Sequence, residues 1–199
     1  MRWLAILLNV ALRLSIVYFL GEGLLFPDDP RFAGKAIPVR NAVIVLTFSL
    51  LFPLLYRWTK RWDRYPFWLD NLYPSIFWLD MAGNSFNLYD SYYYFDLLPH
   101  FHGPGALAVV LLAAFGLNWL AAIGAAHILH TLLEIQEYFT DVWLGTHNVR
   151  GVEDTIHDLT VGLLGMAVYV GLYLVYRRLR HGSGDDGASV SDAAGSSRS

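Results

Sequence analysis

The chain has 199 residues, of which 55% are apolar and only 16% charged, and its mean hydropathy is +0.39. A soluble domain carries about 25% charge. This balance, together with 7 Trp, 12 Tyr and 12 Phe, therefore excludes a disordered chain, a basic nucleic-acid-binding protein and an ordinary soluble enzyme, and it suits the two interfaces of a bilayer. A net charge of −3 argues against a polyanionic partner, and the absence of Cys excludes a disulfide scaffold, an iron–sulfur cluster, thiolate metal ligation and a Cys nucleophile.

A helix that crosses a bilayer needs about 20 mostly apolar residues. The first predicted span, 3–20, is apolar apart from Asn9 and Arg13. Its single basic residue at the start, the interruption at Arg13 and the lack of a small-residue cleavage site make it a retained helix rather than a signal peptide. The second, 41–56, lies uncharged between Arg40 and Arg57. The third, 66–81, is the least apolar, with Asp70, Pro74 and Asp80. Residues 97–133 contain no Asp, Glu, Lys or Arg, too long a run for one span. The turn-like Gly116-Leu117-Asn118 divides it into a hairpin of 101–115 and 119–139. The last span is 155–176.

Loop charges orient these spans. Arg57, Lys60, Arg61 and Arg64 form one basic cluster and Arg177, Arg178 and Arg180 another. The positive-inside rule puts both in the cytoplasm, which requires an even number of crossings between the N-terminus and the tail. The reading is an all-α polytopic transmembrane bundle of about six helices, both termini cytoplasmic, in the plasma membrane. It forms a single domain over 1–180, followed by a polar, disordered tail over 181–199.

Ionisable residues inside spans are unfavourable and mark sites or pathways. In the fifth span His127, His130, Glu134 and Glu137 are spaced 3, 4, 3, which places them on one helix face along a stripe of ~15 Å. Asp96 and His100 open the fourth span at i, i+4; Asp154, His157 and Asp158 open the sixth. Asp80 ends the third, with Asn84, Asn87 and Asp90 following. The charge-derived topology brings all of these to the outer third of the membrane. Carboxylates packed together repel unless a cation or shared protons intervene, and acids with neutral imidazoles are ligands for zinc, manganese or iron. The candidate metal ligands are Asp96, His100, His130, Glu134, Glu137, Asp154, His157 and Asp158, with Glu134 and Asp158 as candidate catalytic bases. His127 and His102 read as packing or interface residues, Asp154 also as a helix N-cap, and Tyr92, Tyr93 and Tyr94 as an aromatic belt. Arg13 either snorkels or pairs with an acid.

The stretch AGNSFNLYDSYYYFDLLPHFHGPGALA, then LLEIQEYFTDVW, then RGVEDTIHDLTVGLLG resembles the YjdF-like and VanZ-like multi-pass membrane proteins. Asp96 and His100 match an Asp-x-x-x-His pair opening one span. Glu134 and Glu137 match a Glu-rich span, and Asp154, Asp158, Gly162 and Gly165 match the opening of a final span. Where the VanZ-like pattern carries Gln and Asn, this chain has Glu137 and Asp158, which brings it nearer the YjdF-like branch. The resemblance implies a six-helix plasma-membrane protein of bacterial or archaeal type and, loosely, a lipid or cell-envelope substrate.

Three functions fit these residues. One is a metal-dependent membrane hydrolase or transferase acting on a lipid or envelope precursor, with a metal-bound water attacking a phosphoester or acyl ester. The second is a proton- or cation-coupled transporter, and the third a non-catalytic scaffold. A polar cluster confined to the outer half, without an inverted repeat, speaks against transport.

Overall fold

The computed structural model of the protein describes residues 2–59 and 65–185. Lys60, Arg61 and Arg64 of the first basic cluster, and the tail beyond 185, lie outside the described residues. Every regular element described is helical: α1 (Arg2–Leu25), α2 (Ile37–Val43), a π-turn (Ile44–Phe48), α3 (Leu51–Thr59), α4 (Phe67–Ser85), the short α5 (Leu88–Ser91), α6 (Leu97–Ala114), α7 (Trp119–Leu144) and α8 (Val152–Asp185). The last helix continues through 181–185, the first residues of the expected tail.

Four helical stretches are long and apolar enough to cross a membrane: Arg2–Leu25, Ile37–Thr59, Leu97–Ala114 and Val152–Arg180. α4 and α7 have 19 and 26 residues but are not among the four. Their sequences are diluted by polar residues, several of which point inward: Asp70, Asn71, Asn84 and Ser85 on α4, His130 and Glu134 on α7. Much of the outward surface is apolar, as at Trp3, Leu7 and Leu14 of α1 and Leu172 and Val175 of α8. Apolar outside and polar within is the pattern of a chain solvated by lipid.

The turn expected at Gly116-Leu117-Asn118 is present. Gly116 takes a left-handed φ of 72°, open to glycine without strain, and the Asn118 side chain accepts a hydrogen bond from the Ala121 amide at 2.9 Å to cap α7. α6 is the central helix, packed against α4, α7 and most extensively α8. Small residues allow that crossing: a methyl on Gly165 would overlap the Phe101 carbonyl, and one on Gly105 would press on Tyr169. The sequence pattern suggests that the fifth and sixth spans meet face to face through the polar stripe; α7 and α8 do pack together, with His130 against Gly162, and α6 adds His100 to the same contact.

Arg13 pairs with an acid. Its Nη2 donates to Asp70 Oδ1 at 2.9 Å, and Asp70 is fully buried. Asn9 donates to Asp70 Oδ2 at 2.7 Å and to Asn71 Oδ1 at 2.8 Å, and Asn71 donates to the Ala5 carbonyl at 2.8 Å. These bonds satisfy the buried carboxylate and clamp α1 to α4. The π-turn is followed by Ser49, whose carbonyl accepts a further bond from Arg13 at 3.4 Å.

The connecting loops are pinned by charge. Arg31 donates to Asp29 and to the Ser85 carbonyl and pairs with Glu22 at 3.0 Å. Its hydrogen bonds hold the Asp29 carboxyl down at about 2. After α7, Asp141 accepts from Thr146 Oγ1 at 2.6 Å and from the backbone amides of Asn148 and Val149, closing the loop into α8.

Candidate metal centre

The site is built by three helices around one imidazole. His100, in the first turn of α6, is bounded by His130 and Glu134 of α7 on one ring edge and by Asp96 and Asp158 of α8 on the other. Spacing of i, i+4 stacks His130 above Ala126 and Ala122 and below Glu134, all buried on one face of α7. Asp158 begins the corresponding face of α8, continued by Gly162, Gly165 and Met166. Pro104 contributes locally: it has no N–H for the carbonyl of His100, four residues earlier, and a Cβ added at Gly162 would stand 3.3 Å from that carbonyl.

Three ligand-type atoms form a closed triangle. His100 Nδ1 and His130 Nε2 share a hydrogen bond of 2.9 Å, His100 Nδ1 lies 3.2 Å from Glu134 Oε1, and the third edge, His130 Nε2 to Glu134 Oε1, is 3.5 Å. Glu134 and His130 are each 4% exposed, yet Glu134 Oε1 has no hydrogen-bond partner among the described residues. On the other ring edge, His100 Nε2 is 3.5 Å from Asp96 Oδ1 and 4.0 Å from Asp158 Oδ2. Both groups of three bring their ligand atoms within 4.8 Å of one another, close enough to hold a metal ion.

The surroundings carry an excess of negative charge. Glu137, one turn beyond Glu134, faces Arg40 at 4.0 Å. Arg40 also pairs with Asp80, which accepts a hydrogen bond from Tyr89 Oη at 2.9 Å. At the rim Arg150 stands 4.0 Å from Asp96 and over the Tyr93 ring. Asp80 and Glu137 thus share Arg40 and Asp96 has the rim Arg150, while Glu134 and Asp158 have only histidines as ion-pair partners among the described residues. Carboxylates so placed need protons or added cations to balance them.

Of the sequence-derived ligands, Asp96, His100, His130, Glu134 and Asp158 converge. Glu137 belongs to the Arg40 pair. Asp154 accepts from the Arg150 amide at 3.0 Å, the reach-back of an acid in the first turn of a helix, and joins neither group. His157 is exposed and also joins neither. His102 is a packing residue: Nδ1 meets Tyr169 Oη at 2.7 Å and Nε2 meets Ser75 Oγ at 2.9 Å. Pattern reasoning does not single out Arg40, Tyr89 or Arg150. For Arg40 a signal existed: it flanks the start of one predicted span at the same level at which Asp80 lies near the end of the next.

A groove of about 460 Å³ runs between the end of α7 and the start of α8, lined by Tyr138, Val142, His147 and Val152 among others. None of the five converging residues lines it.

Comparison of the chain with protein-family models, curated proteins and solved structures gave no match. The class that the fold and site define is therefore a helical protein with membrane-length apolar helices and buried His and carboxylate groups able to hold a metal ion.

Proposed function

We propose that this chain is a multi-pass plasma-membrane protein whose buried centre binds a divalent cation (zinc, manganese or iron) and uses it to hydrolyse or transfer an ester of a lipid or cell-envelope precursor. The observation that carries this reading is the triangle of His100 Nδ1, His130 Nε2 and Glu134 Oε1. Two imidazoles and a carboxylate are the ligand set of a catalytic zinc site, which keeps a further position open for water or substrate. A cation held there would lower the pKa of a bound water. Glu134 and Asp158 are the buried carboxylates beside it that can accept the proton, and Asp96 and Arg150 mark the mouth.

The topology that goes with this reading has six crossings, α4 and α7 being inner helices whose polar faces turn toward the site, with both termini cytoplasmic. The site then opens toward the outer leaflet, where a lipid or envelope substrate resides. On its inner side Ala108, Leu112, Ala122, Ala126, Met166 and Val170 form a close-packed apolar layer across α6, α7 and α8, which disfavours a transport path through the same helices.

The test is turnover. The full chain in lipid nanodiscs, loaded with Zn(II) or Mn(II), is expected to cleave a phosphoester or acyl ester in a panel of phospholipids and polyprenyl phosphates, and to lose that activity on chelation. Tight metal binding without turnover on any member of the panel would overturn the enzymatic reading.

A further inference from the structure

We infer that the centre is dinuclear: His100 presents a second cation seat, formed by its Nε2 with Asp96 and Asp158, on the ring edge opposite the seat it shares with His130 and Glu134. The inference rests on the metal-binding reading above and adds a second ion to it.

Three observations converge on that seat. The distances from His100 Nε2 to Asp96 Oδ1 and Asp158 Oδ2, 3.5 and 4.0 Å, are too long for N–H···O hydrogen bonds of about 2.7–3.2 Å. They suit ligands that share a cation, where each stands about 2.0–2.2 Å from the ion. Asp158 is 4% exposed, makes no hydrogen bond among the described residues, and has His100 Nε2 as its ion-pair partner; a buried carboxylate left so is unfavourable unless something cationic lies beside it. Asp96 occupies the N-cap position of α6, where Asp ordinarily bonds a backbone amide, yet its side chain makes no capping bond and sits beside His100 instead.

The chemistry of the two seats differs. His100 Nδ1, His130 and Glu134 offer two nitrogens and one oxygen, the softer set. His100 Nε2, Asp96 and Asp158 offer one nitrogen and two carboxylates, which suits a harder ion such as manganese. Bridged by one imidazole, the ions would stand about 6 Å apart, given metal–nitrogen bonds of about 2.0–2.1 Å. Two divalent cations balance the three carboxylates and a deprotonated imidazole. Bound through one oxygen, Asp158 and Glu134 each keep the other to accept a proton.

The experiment is a stoichiometric titration of the full chain in detergent, stripped by chelation and reloaded with Zn(II). Wild type is expected to bind two ions, and Asp158→Asn and Glu134→Gln one each. Loading with Cu(II) is expected to give magnetic coupling of the two ions by electron paramagnetic resonance in wild type, and an uncoupled single-ion spectrum in Asp158→Asn. One ion in both wild type and Asp158→Asn would overturn the second seat while leaving the single-metal reading standing. Two ions in Asp158→Asn would overturn the assignment of that seat. No ion in folded wild type would overturn both.

Discussion

Gly162 on α8 leaves open the space that the His130 imidazole of α7 fills. A Cβ at 162 would overlap Cε1 and Nδ1 of that ring and stand 3.3 Å from the His100 carbonyl. One missing side chain therefore sets the position of both histidines, because the helix that supplies Asp158 can approach α6 and α7 closely only at a glycine.

Gly162→Ala is accordingly expected to displace His130 and weaken metal binding by about 10–100-fold, the range seen when groups supporting a metal ligand are altered. A methyl on Gly171 would meet no described atom within 4 Å, so Gly171→Ala should bind metal as wild type does. Competition with a chelator of known affinity measures both. Equal affinity for Gly162→Ala and wild type would remove the steric argument.

The positions of the helices were legible because each is an apolar run bounded by charge or by a turn. The spans at 3–20, 101–115 and 119–139 lie largely within α1, α6 and α7. What periodicity could not resolve was the choice between neighbours. His157 and Asp158 are adjacent, about 100° apart on a helix, so only one can face the centre. The glycines decide: 158, 162 and 165 share a face and 157 does not, a signal present in the sequence but needing the packing partner to be read. Likewise the pairing of Arg13 with Asp70 depends on α1 lying against α4, which hydropathy does not specify. The central place of α6 was hidden because its sequence is almost wholly apolar and gives no phase.

The Arg13–Asp70 pair predicts a strong asymmetry. Arg13→Ala leaves a fully buried carboxylate without its cationic partner, Asn9 remaining as a neutral hydrogen-bond donor, and loss of one partner of a buried pair is destabilising by about 3–5 kcal/mol. Adding Asp70→Asn to Arg13→Ala should recover a large part of that loss, since no buried charge remains. Thermal unfolding in a fixed detergent is the measurement. A double variant less stable than Arg13→Ala would contradict the pairing.

Asp141 gives a pH-dependent prediction outside the spans. Burial works to raise its carboxyl, but hydrogen bonds from the Asn148 amide, Thr146 and the Val149 amide outweigh it and hold the group below the ordinary aspartate value. Because the folded value is the lower one, the stabilisation is present above the unfolded aspartate pKa of about 4 and is lost as pH falls through the folded value. Asp141→Ala should loosen the 145–149 loop by about 1–3 kcal/mol at neutral pH and abolish that acid-dependent step. Hydrogen exchange at Asn148 and Val149 reads it. Wild-type protection retained in Asp141→Ala would show that the loop is held by other contacts.

The central claim is that His100, His130 and Glu134 hold a divalent cation, and the most direct test is metal content by mass spectrometry of the full chain purified in detergent without added chelator. At least one zinc, manganese or iron per chain is predicted for wild type. That content should be retained in Tyr93→Phe, lost in His100→Ala, which belongs to both groups, and lowered below wild type in Glu134→Gln, with wild-type helix content by circular dichroism in all four proteins. Metal-free folded wild type, or His100→Ala and Glu134→Gln with the full wild-type content, would contradict the account.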